Sequence, residues 1–449
     1  MKKLHLVSLG CPKNLVDTEV MLAALEADGY QMVADAQEAD VLLVNTCGFI
    51  QSAAEEAIDT VLELAAYKEE DPSKQLVVAG CLVQRYGPDL SSSLPEVDAF
   101  VGLDDFPNIA ALLKGRGKKT LFAAKPGSAG YLMDSSVPRR LATPFYRAYL
   151  KITEGCDNHC SYCMIPSIRG PLRSRSIDDL IKEAQRLEQG GVRELSLIAQ
   201  DLSSFGQDLG LEDGLLDLLK ALLSHTTIPW FRLLYLYPTG ISDSLLQLMQ
   251  AQPRILPYLD IPMQHVSDSV LRAMGRRYQR SHLEDLVQRV RTALPECALR
   301  TTFMVGFPGE SEADAEELLA AIRDWRLDHV GVFAYQDEDG CAASRLSGKV
   351  GEEAKEVRLA AAMAVQAEVS AALLQEKVGT VQPVLVEGYS QESDLLLEGR
   401  TRFQAPDIDG CLYISAGKAN VGDIVAVRVS EAHVYDLVGE VLEQEGTDS

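Results

Sequence analysis

The chain has 449 residues, more than one hydrophobic core ordinarily holds, so about three domains are expected. With 47% hydrophobic and 24% charged residues it is a globular chain, which excludes a disordered or fibrous one. Sixty-six acids against 42 bases leave a net charge of -24, weighing against broad, phosphate-driven nucleic-acid binding.

The first third alternates short apolar runs with longer amphipathic ones. Residues 4–9, 41–45 and 76–79 read as buried strands, with a weaker one at 98–101, and 15–29 and 53–67 read as helices. This alternation predicts an α/β unit over residues 1–120, a doubly wound parallel sheet with helices on both faces. Its end falls in the polar stretch of Lys114, Arg116, Lys118 and Lys119. Residues 121–145, with Pro126, Gly127, Gly130, Pro138 and Pro144, are expected to be a linker.

A longer alternation follows over 146–377. Strands are expected at 148–152, 194–198, 231–235, 257–261, 299–305 and 329–333, and helices at 177–189, 214–223, 242–249, 281–293 and 312–325. Six strand–helix units suggest a complete or incomplete barrel with its chemistry at the carboxyl ends of the strands. An alanine-rich helix over 352–377 is expected to brace it. Residues 378–444 change to short strand-like runs between Gly, Asp and Asn turns, a small β barrel or sandwich, and 445–449 form a tail expected to be disordered. No apolar stretch reaches membrane-spanning length, and the run after Met1-Lys2-Lys3 is too short for a signal peptide, so a cytoplasmic chain with reduced cysteines is expected.

The nine cysteines are informative through their placement. Cys156, Cys160 and Cys163 lie in a polar loop just past the first barrel strand, where three thiols have no reason to be core. Zinc usually wants a fourth protein ligand, and His159 is awkwardly placed between two of the thiols. Three thiolates with one metal corner free suit a [4Fe–4S] cluster. Cys11, Cys47 and Cys81 each follow a predicted parallel strand, so all three can converge on one sheet edge as a second metal site. Asn14 and Asn45 are expected to support those loops by hydrogen bonds. Cys297, Cys341 and Cys411 have no partnered spacing.

The Cys156-x3-Cys160-x2-Cys163 pattern, with Tyr162 before its last cysteine, resembles the signature of radical S-adenosylmethionine (SAM) enzymes. The resemblance implies a SAM bound at the free iron and reduced there to release a 5'-deoxyadenosyl radical. It also implies that the backbone at Tyr162 meets the adenine. Val305-Gly306-Phe307-Pro308-Gly309-Glu310, read alone, is a turn; within the family it resembles the adenosyl-contacting segment. Arg300 and Thr302 alternate on the strand before it and can face the site, although an ion pair competes for Arg300.

Across the whole chain the organisation resembles the methylthiotransferases: an N-terminal cluster domain, a radical SAM partial barrel of the (β/α)6 kind, and a C-terminal all-β domain of the TRAM type. One branch of that family modifies adenosines of tRNA, the other an aspartate of small-subunit ribosomal protein uS12. The segments Val7–Asp17, Asn45–Ile50, Tyr149–Cys156, Ile165–Gly170, Asp260–His265 and Leu271–Arg276 resemble the ribosomal-protein branch. Tyr146 stands where that family commonly has a histidine, and Thr239-Gly240 replaces a Pro-His pair. Between Val378 and Glu440, ten acids against four bases suit a basic protein partner better than RNA.

The resemblance implies two [4Fe–4S] clusters, two SAM molecules, and a methylthio group placed on the aspartate β carbon of uS12, free or in the 30S particle. An external electron donor and a sulfur donor are implied partners; direct nucleic-acid substrates and a membrane are not. Glu154, Gln200, Asp201, Tyr235, Gln264, His265 and Arg276 lie near strand ends as candidate wall residues. A tRNA methylthiotransferase, a non-catalytic iron–sulfur electron carrier and a zinc-stabilised binding protein remain as alternatives.

Overall fold

A computed structural model of the chain describes residues 2–114, 120–122, 130–390, 393 and 395–442. Arg116, Lys118 and Lys119 at the expected first boundary, Pro126 and Gly127 of the expected linker, and the tail 445–449 lie outside the described residues.

The N-terminal unit is a six-stranded sheet of β1 (Lys2–Ser8), β2 (Tyr30–Met32), β3 (Val41–Thr46), β4 (Gln75–Gly80), β5 (Ala99–Val101) and β6 (Thr120–Phe122). Their spatial order is β2-β1-β3-β4-β5-β6 and every pairing is parallel. Helices α1 (Pro12–Ala27), α2 (Gln51–Glu70), α3 (Cys81–Ser93) and α4 (Ile109–Leu112) connect the strands. Side chains alternate across β3: Val41 and Leu43 pack with Val16, Val20 and Met21 of α1, whereas Leu42 and Val44 pack with Ala57, Val61 and Leu64 of α2. Both faces are therefore covered, as continuous apolar strand sequences require. Two edge strands, β2 and β6, escaped the sequence reading because three residues are too few to show a period.

The central unit holds β7 (Arg147–Lys151), the short antiparallel pair β8 (Thr153–Glu154) and β9 (Arg173–Ser174), then β10 (Glu194–Ile198), β11 (Trp230–Leu233), β12 (Ile255–Asp260), β13 (Ala298–Val305) and β14 (His329–Ala334). Helices α5 (Ile165–Arg169), α6 (Ile177–Gln189), α7 (Gly214–His225), α8 (Asp243–Ala251), α9 (Asp268–Ala273), α10 (Arg280–Ala293) and α11 (Glu312–Asp324) alternate with them. The parallel sheet runs β14-β13-β12-β11-β10-β7 and does not close, an incomplete barrel. Leu150, Leu197, Phe231, Leu233, Leu259 and Phe303 form its outer core with the helices. Their strand neighbours Lys151, Glu194, Arg232 and Asp260 are buried on the other face, which makes the barrel interior charged.

Helix α12 (Glu352–Gln375) corrects one expectation, because it is long and apolar enough to cross a membrane by length and composition. Alanines carry its hydropathy, and the helix packs along α11 and β14. Its buried polar groups are anchored there: Gln366 donates to the Asp328 carbonyl at 3.0 Å and Ser370 to that of Val434 at 2.6 Å.

The C-terminal unit is a closed barrel of β15 (Val381–Tyr389), β16 (Leu397–Thr401), β17 (Leu412–Ala416), β18 (Ile424–Ala432) and β19 (Leu437–Val441), ordered β15-β16-β17-β19-β18. It docks beneath the amino ends of the central strands. Arg400 bonds Glu194 at 2.6 Å and Glu387 at 2.9 Å, while Arg232 takes the other Glu194 oxygen at 2.5 Å. Tyr146, at the family's histidine position, donates to the Glu387 carbonyl at 2.9 Å and so serves the same junction. Burial alone would raise the Glu194 pKa, but Arg232 and Arg400 hold it down at about 2.

A folded pKa below the unfolded value of 4.5 means that this contribution to stability is full above about pH 4.5 and is lost as pH falls toward 2. Arg400→Ala leaves Glu194 with Arg232 alone and is expected to cost about 3 kcal/mol in urea denaturation at pH 7. That deficit should shrink on titration toward pH 2.

Candidate active site

The strand order β1-β3-β4 and the in-step pairings Ser8–Asn45 and Asn45–Ala79 bring the carboxyl ends of three strands side by side. Cys11, Cys47 and Cys81 emerge there. Cys11 is the N-cap of α1, with Pro12 in the first helical turn, where a missing N–H costs nothing. Gly10 has φ +90°, and a Cβ on it would stand 2.8 Å from the Cys47 Cβ. Gly80 has φ +105°, and its Cβ would meet Asn45 Oδ1 at 2.4 Å. Close approach of the three loops thus requires glycine before two of the cysteines. Asn14 donates to the carbonyls of Leu9 and Thr46 at 3.2 and 3.0 Å, and Asn45 donates to that of Asn14 at 2.8 Å.

The second triad lies on the loop between β8 and α5. Ser161 N–H donates to the Met274 carbonyl at 2.9 Å, and Ala343 N–H donates to that of Ser161 at 2.8 Å, so neighbouring barrel loops hold it from two sides. Backbone N–H groups of Asn158 and Ile165 point at the sulfurs of Cys156 and Cys163, at 3.4 and 3.5 Å.

All six cysteines line one cavity of about 350 Å3, between the N-terminal sheet edge and the mouth of the incomplete barrel. Cys297, Cys341 and Cys411 do not line it. Burial pushes the thiols of Cys81 and Cys163 up to about 12 and that of Cys156 to about 11. At Cys11 burial acts the same way, but the charges of Lys13 and Arg169 outweigh it and lower the pKa. Thiolates in such surroundings need metal to stabilise them. Among the described residues no three His, Cys, Asp or Glu side chains close on one point as the ligands of a single ion would. The donor set of two thiol triads around a shared space therefore fits polynuclear iron–sulfur groups better than mononuclear zinc.

Beside the cavity runs a buried charge network that joins the two units. Lys151 of β7 bonds Asp17 of α1 at 2.5 Å and Glu154 at 2.8 Å. Arg169 of α5 bonds Asp17 at 2.9 Å and Glu154 at 2.7 Å, and reaches Asn14 Oδ1 at 2.7 Å and Cys81 Sγ at 3.3 Å. Burial opposes the Glu154 charge, yet Arg169 and Lys151 hold its carboxyl well below the usual carboxylate range. A second clamp closes the far side: Arg85 of α3 bonds Glu338 at 3.0 Å and the Gly48 carbonyl at 2.9 Å.

Of the candidate wall residues, Gln200, Asp201, Tyr235, Gln264 and Arg276 line the cavity, as does Thr302. Tyr235 and Gln264 have φ of +65° and +69°, a strained conformation for residues other than glycine and one that concentrates at functional sites. Glu154 belongs to the charge network instead, and His265 is fully buried, its Nδ1 accepting from the Ser267 N–H at 3.0 Å.

Tyr162 lines the cavity, edge-on to Phe307 with ring centres 6.4 Å apart. Gly306, Gly309 and Glu310 stand behind that aromatic contact rather than on the lining. A Cβ on Gly306 would meet Lys355 Cγ at 2.2 Å, and Glu310 accepts from the Phe307 N–H at 3.0 Å and pairs with Arg358 at 3.2 Å. Arg300 is committed elsewhere, to Asp260 at 3.0 Å and to Asp409 of the C-terminal barrel at 3.4 Å. Sequence reasoning passed over Lys13, Asp17 and Arg169 as individual residues. The helical spacing of Lys13, Asn14 and Asp17 directly after Cys11 was the available signal, a polar face on a helix that otherwise buries Val16, Val20 and Met21.

Three family models match the chain: the uncharacterized protein family UPF0004 over residues 3–102, the radical SAM superfamily over 150–322 and the TRAM domain over 378–442. A protein of Desulfotalea psychrophila named ribosomal protein uS12 methylthiotransferase RimO is 53% identical over 99% of this chain and 100% of its own length. The protein of the same name from Geobacter sulfurreducens is 46% identical over 98% and 99%. Among solved structures, the radical SAM methyltransferase TsrM from Kitasatospora setae, with cobalamin and a [4Fe-4S] cluster bound, superposes with a TM-score of 0.56. At 15% identity, covering 74% of this chain and 72% of that one, it is a likeness of fold.

Arg169→Ala leaves two buried carboxylates sharing Lys151 and is expected to destabilise the chain by about 3 kcal/mol in urea denaturation. Adding Asp17→Asn should recover part of that loss, since it removes the stranded charge. Additive losses would show that the two residues are not coupled across the seam.

Proposed function

The chain belongs to the family of ribosomal protein uS12 methylthiotransferases, and we propose that it replaces a β hydrogen of an aspartate in uS12 with a methylthio group, consuming two molecules of SAM. The observation that carries this reading is the convergence of two cysteine triads, from two different units, on one cavity. A radical alone or a sulfur alone would need one triad; joining carbon to sulfur needs both open to the same substrate.

The residues present fit two [4Fe–4S] clusters, one on Cys11, Cys47 and Cys81 and one on Cys156, Cys160 and Cys163. When bound, the first supplies the sulfur and the second the electron that opens the SAM sulfonium bond. The protein's own work is positional. The N–H groups of Asn158 and Ile165 favour ligated, anionic sulfur at Cys156 and Cys163. Lys13 donates to the Ala199 carbonyl at 3.1 Å and stands 3.7 Å from the centre of the Tyr235 ring, which closes the floor between the triads. Tyr162, Phe307 and Tyr335, the last two with ring centres 5.0 Å apart, form an apolar corner beside Cys163. That corner suits the adenosyl group, with Gly306, Gly309 and Glu310 shaping the turn behind it. Excluding water there protects a radical from side reactions.

The named relatives and the acidic C-terminal barrel favour a basic ribosomal protein over tRNA. A ribosomal substrate fits a cytoplasmic site of action. The sulfur and the electron must come from outside the polypeptide, which calls for a sulfur donor and an electron donor.

Anaerobic reconstitution should give about eight iron atoms per chain, and about four after Cys11, Cys47 and Cys81 are all changed to alanine. That triple variant is expected still to cleave SAM and to add no methylthio group to uS12, as read by mass spectrometry. Four irons in the unmodified chain would contradict the two-cluster reading.

A further inference from the structure

The proposed reaction takes an aspartate side chain, an anion, out of water into a cavity whose walls are mainly apolar. A carboxylate in such a place needs a cation to meet it. Among the described residues three cationic ones line the cavity: Lys13, Arg169 and Arg276. Lys13 is engaged with the Ala199 carbonyl and the Tyr235 ring. Arg169 has its guanidinium filled by Glu154, Asp17, Asn14 and Cys81.

Arg276 differs from both. Among the described residues it forms no ion pair; one terminal nitrogen donates to the Pro262 carbonyl at 3.0 Å, and its Nε is buried with no partner. Asp201, the acid on the lining, feels the Arg276 charge but takes its side-chain hydrogen bonds from Asn158 and Ser203, each at 2.6 Å. Three rings hold the guanidinium in place, with centres 4.9 Å (Tyr237), 5.6 Å (Tyr278) and 6.0 Å (Tyr162) away. The rings are themselves tethered: Tyr278 donates to the Met263 carbonyl at 2.8 Å, and Tyr237 accepts from the Arg277 N–H at 3.3 Å. The result is an oriented, partly desolvated cation on the lining of the space both triads share, with one terminal nitrogen held by Pro262.

We propose that Arg276 receives the carboxylate of the target aspartate and thereby sets the preference for an acidic residue, an inference that rests on the reaction proposed above. A guanidinium fork matches a carboxylate through two parallel hydrogen bonds, which a lysine cannot reproduce. Holding the carboxylate also fixes the adjacent β carbon, the atom that must lose hydrogen and gain sulfur. The carboxylate of SAM offers the same chemistry, so the test must separate the two.

The test uses the reconstituted full chain with uS12 carrying either the natural aspartate or asparagine at the target position, with affinities read by calorimetry. The unmodified enzyme is expected to bind the aspartate form about tenfold more tightly. Arg276→Gln should bring the two forms within about twofold of each other, and Arg276→Lys should restore part of the difference. Affinity of Arg276→Gln for SAM, measured without uS12, shows which of the two carboxylates the residue serves. The inference is overturned if Arg276→Gln keeps the preference, if it weakens SAM binding instead, or if the unmodified enzyme does not distinguish the two forms. The last arm needs no enzyme variant and is immune to misfolding. Methylthiolation of uS12 by the unmodified enzyme in the same preparations separates failure of this inference from failure of the proposed reaction.

Discussion

The seam between the N-terminal sheet and the incomplete barrel depends on four buried charges: Asp17, Lys151, Glu154 and Arg169. Two carboxylates and two cations neutralise one another only when α1 lies against β7 and α5. Separated, each unit would expose half of an unbalanced set, and a shifted docking would bury a charge without its partner, at a cost of several kcal/mol. Such a network adds little net stability over an apolar seam. Its use is to admit one register, and that register is what places Cys81 beside Arg169 and the two triads around a single cavity.

A second chain of polar contacts runs from the cavity floor to the base of the barrel. Lys13 stands over Tyr235, whose N–H donates to Asp260 at 3.1 Å; Asp260 pairs with Arg300, and Arg300 reaches Asp409 of the C-terminal barrel. Tyr258 donates to the same Asp409 at 2.7 Å. The strained backbone of Tyr235 is thus held from below by the barrel interior, and the C-terminal barrel completes that support from the opposite end. The apolar core follows the same plan, since residues of all three units, such as Val20, Trp230 and Leu385, belong to one continuous cluster.

Strand positions and the convergence of Cys11, Cys47 and Cys81 were legible in the sequence because both follow from local rules. Apolar runs of five or six residues mark parallel strands, and residues just past parallel strands share an edge. The charge network was not legible. Its members are far apart in the chain, and nothing local says that Asp17 answers Lys151 rather than solvent. Arg300 was read as facing the site with an ion pair as its competitor, and its partners Asp260 and Asp409 are too far away in the chain to be read locally. The left-handed backbone at Tyr235 and Gln264 left no trace either, since neither residue type prefers it. Helix α12 was legible as an alanine-rich brace and lies along α11 and β14, but its length and apolar composition, sufficient to span a membrane, were passed over.

The central claim is that two clusters held by different units open onto one shared cavity. Crystals of the anaerobically reconstituted chain, measured at the iron absorption edge, test it most directly through the anomalous difference map. The account predicts two iron sites, one within the arc of Cys11, Cys47 and Cys81 and one at Cys156, Cys160 and Cys163, with no main chain passing between them. A single iron site, or two sites facing separate cavities, would contradict it.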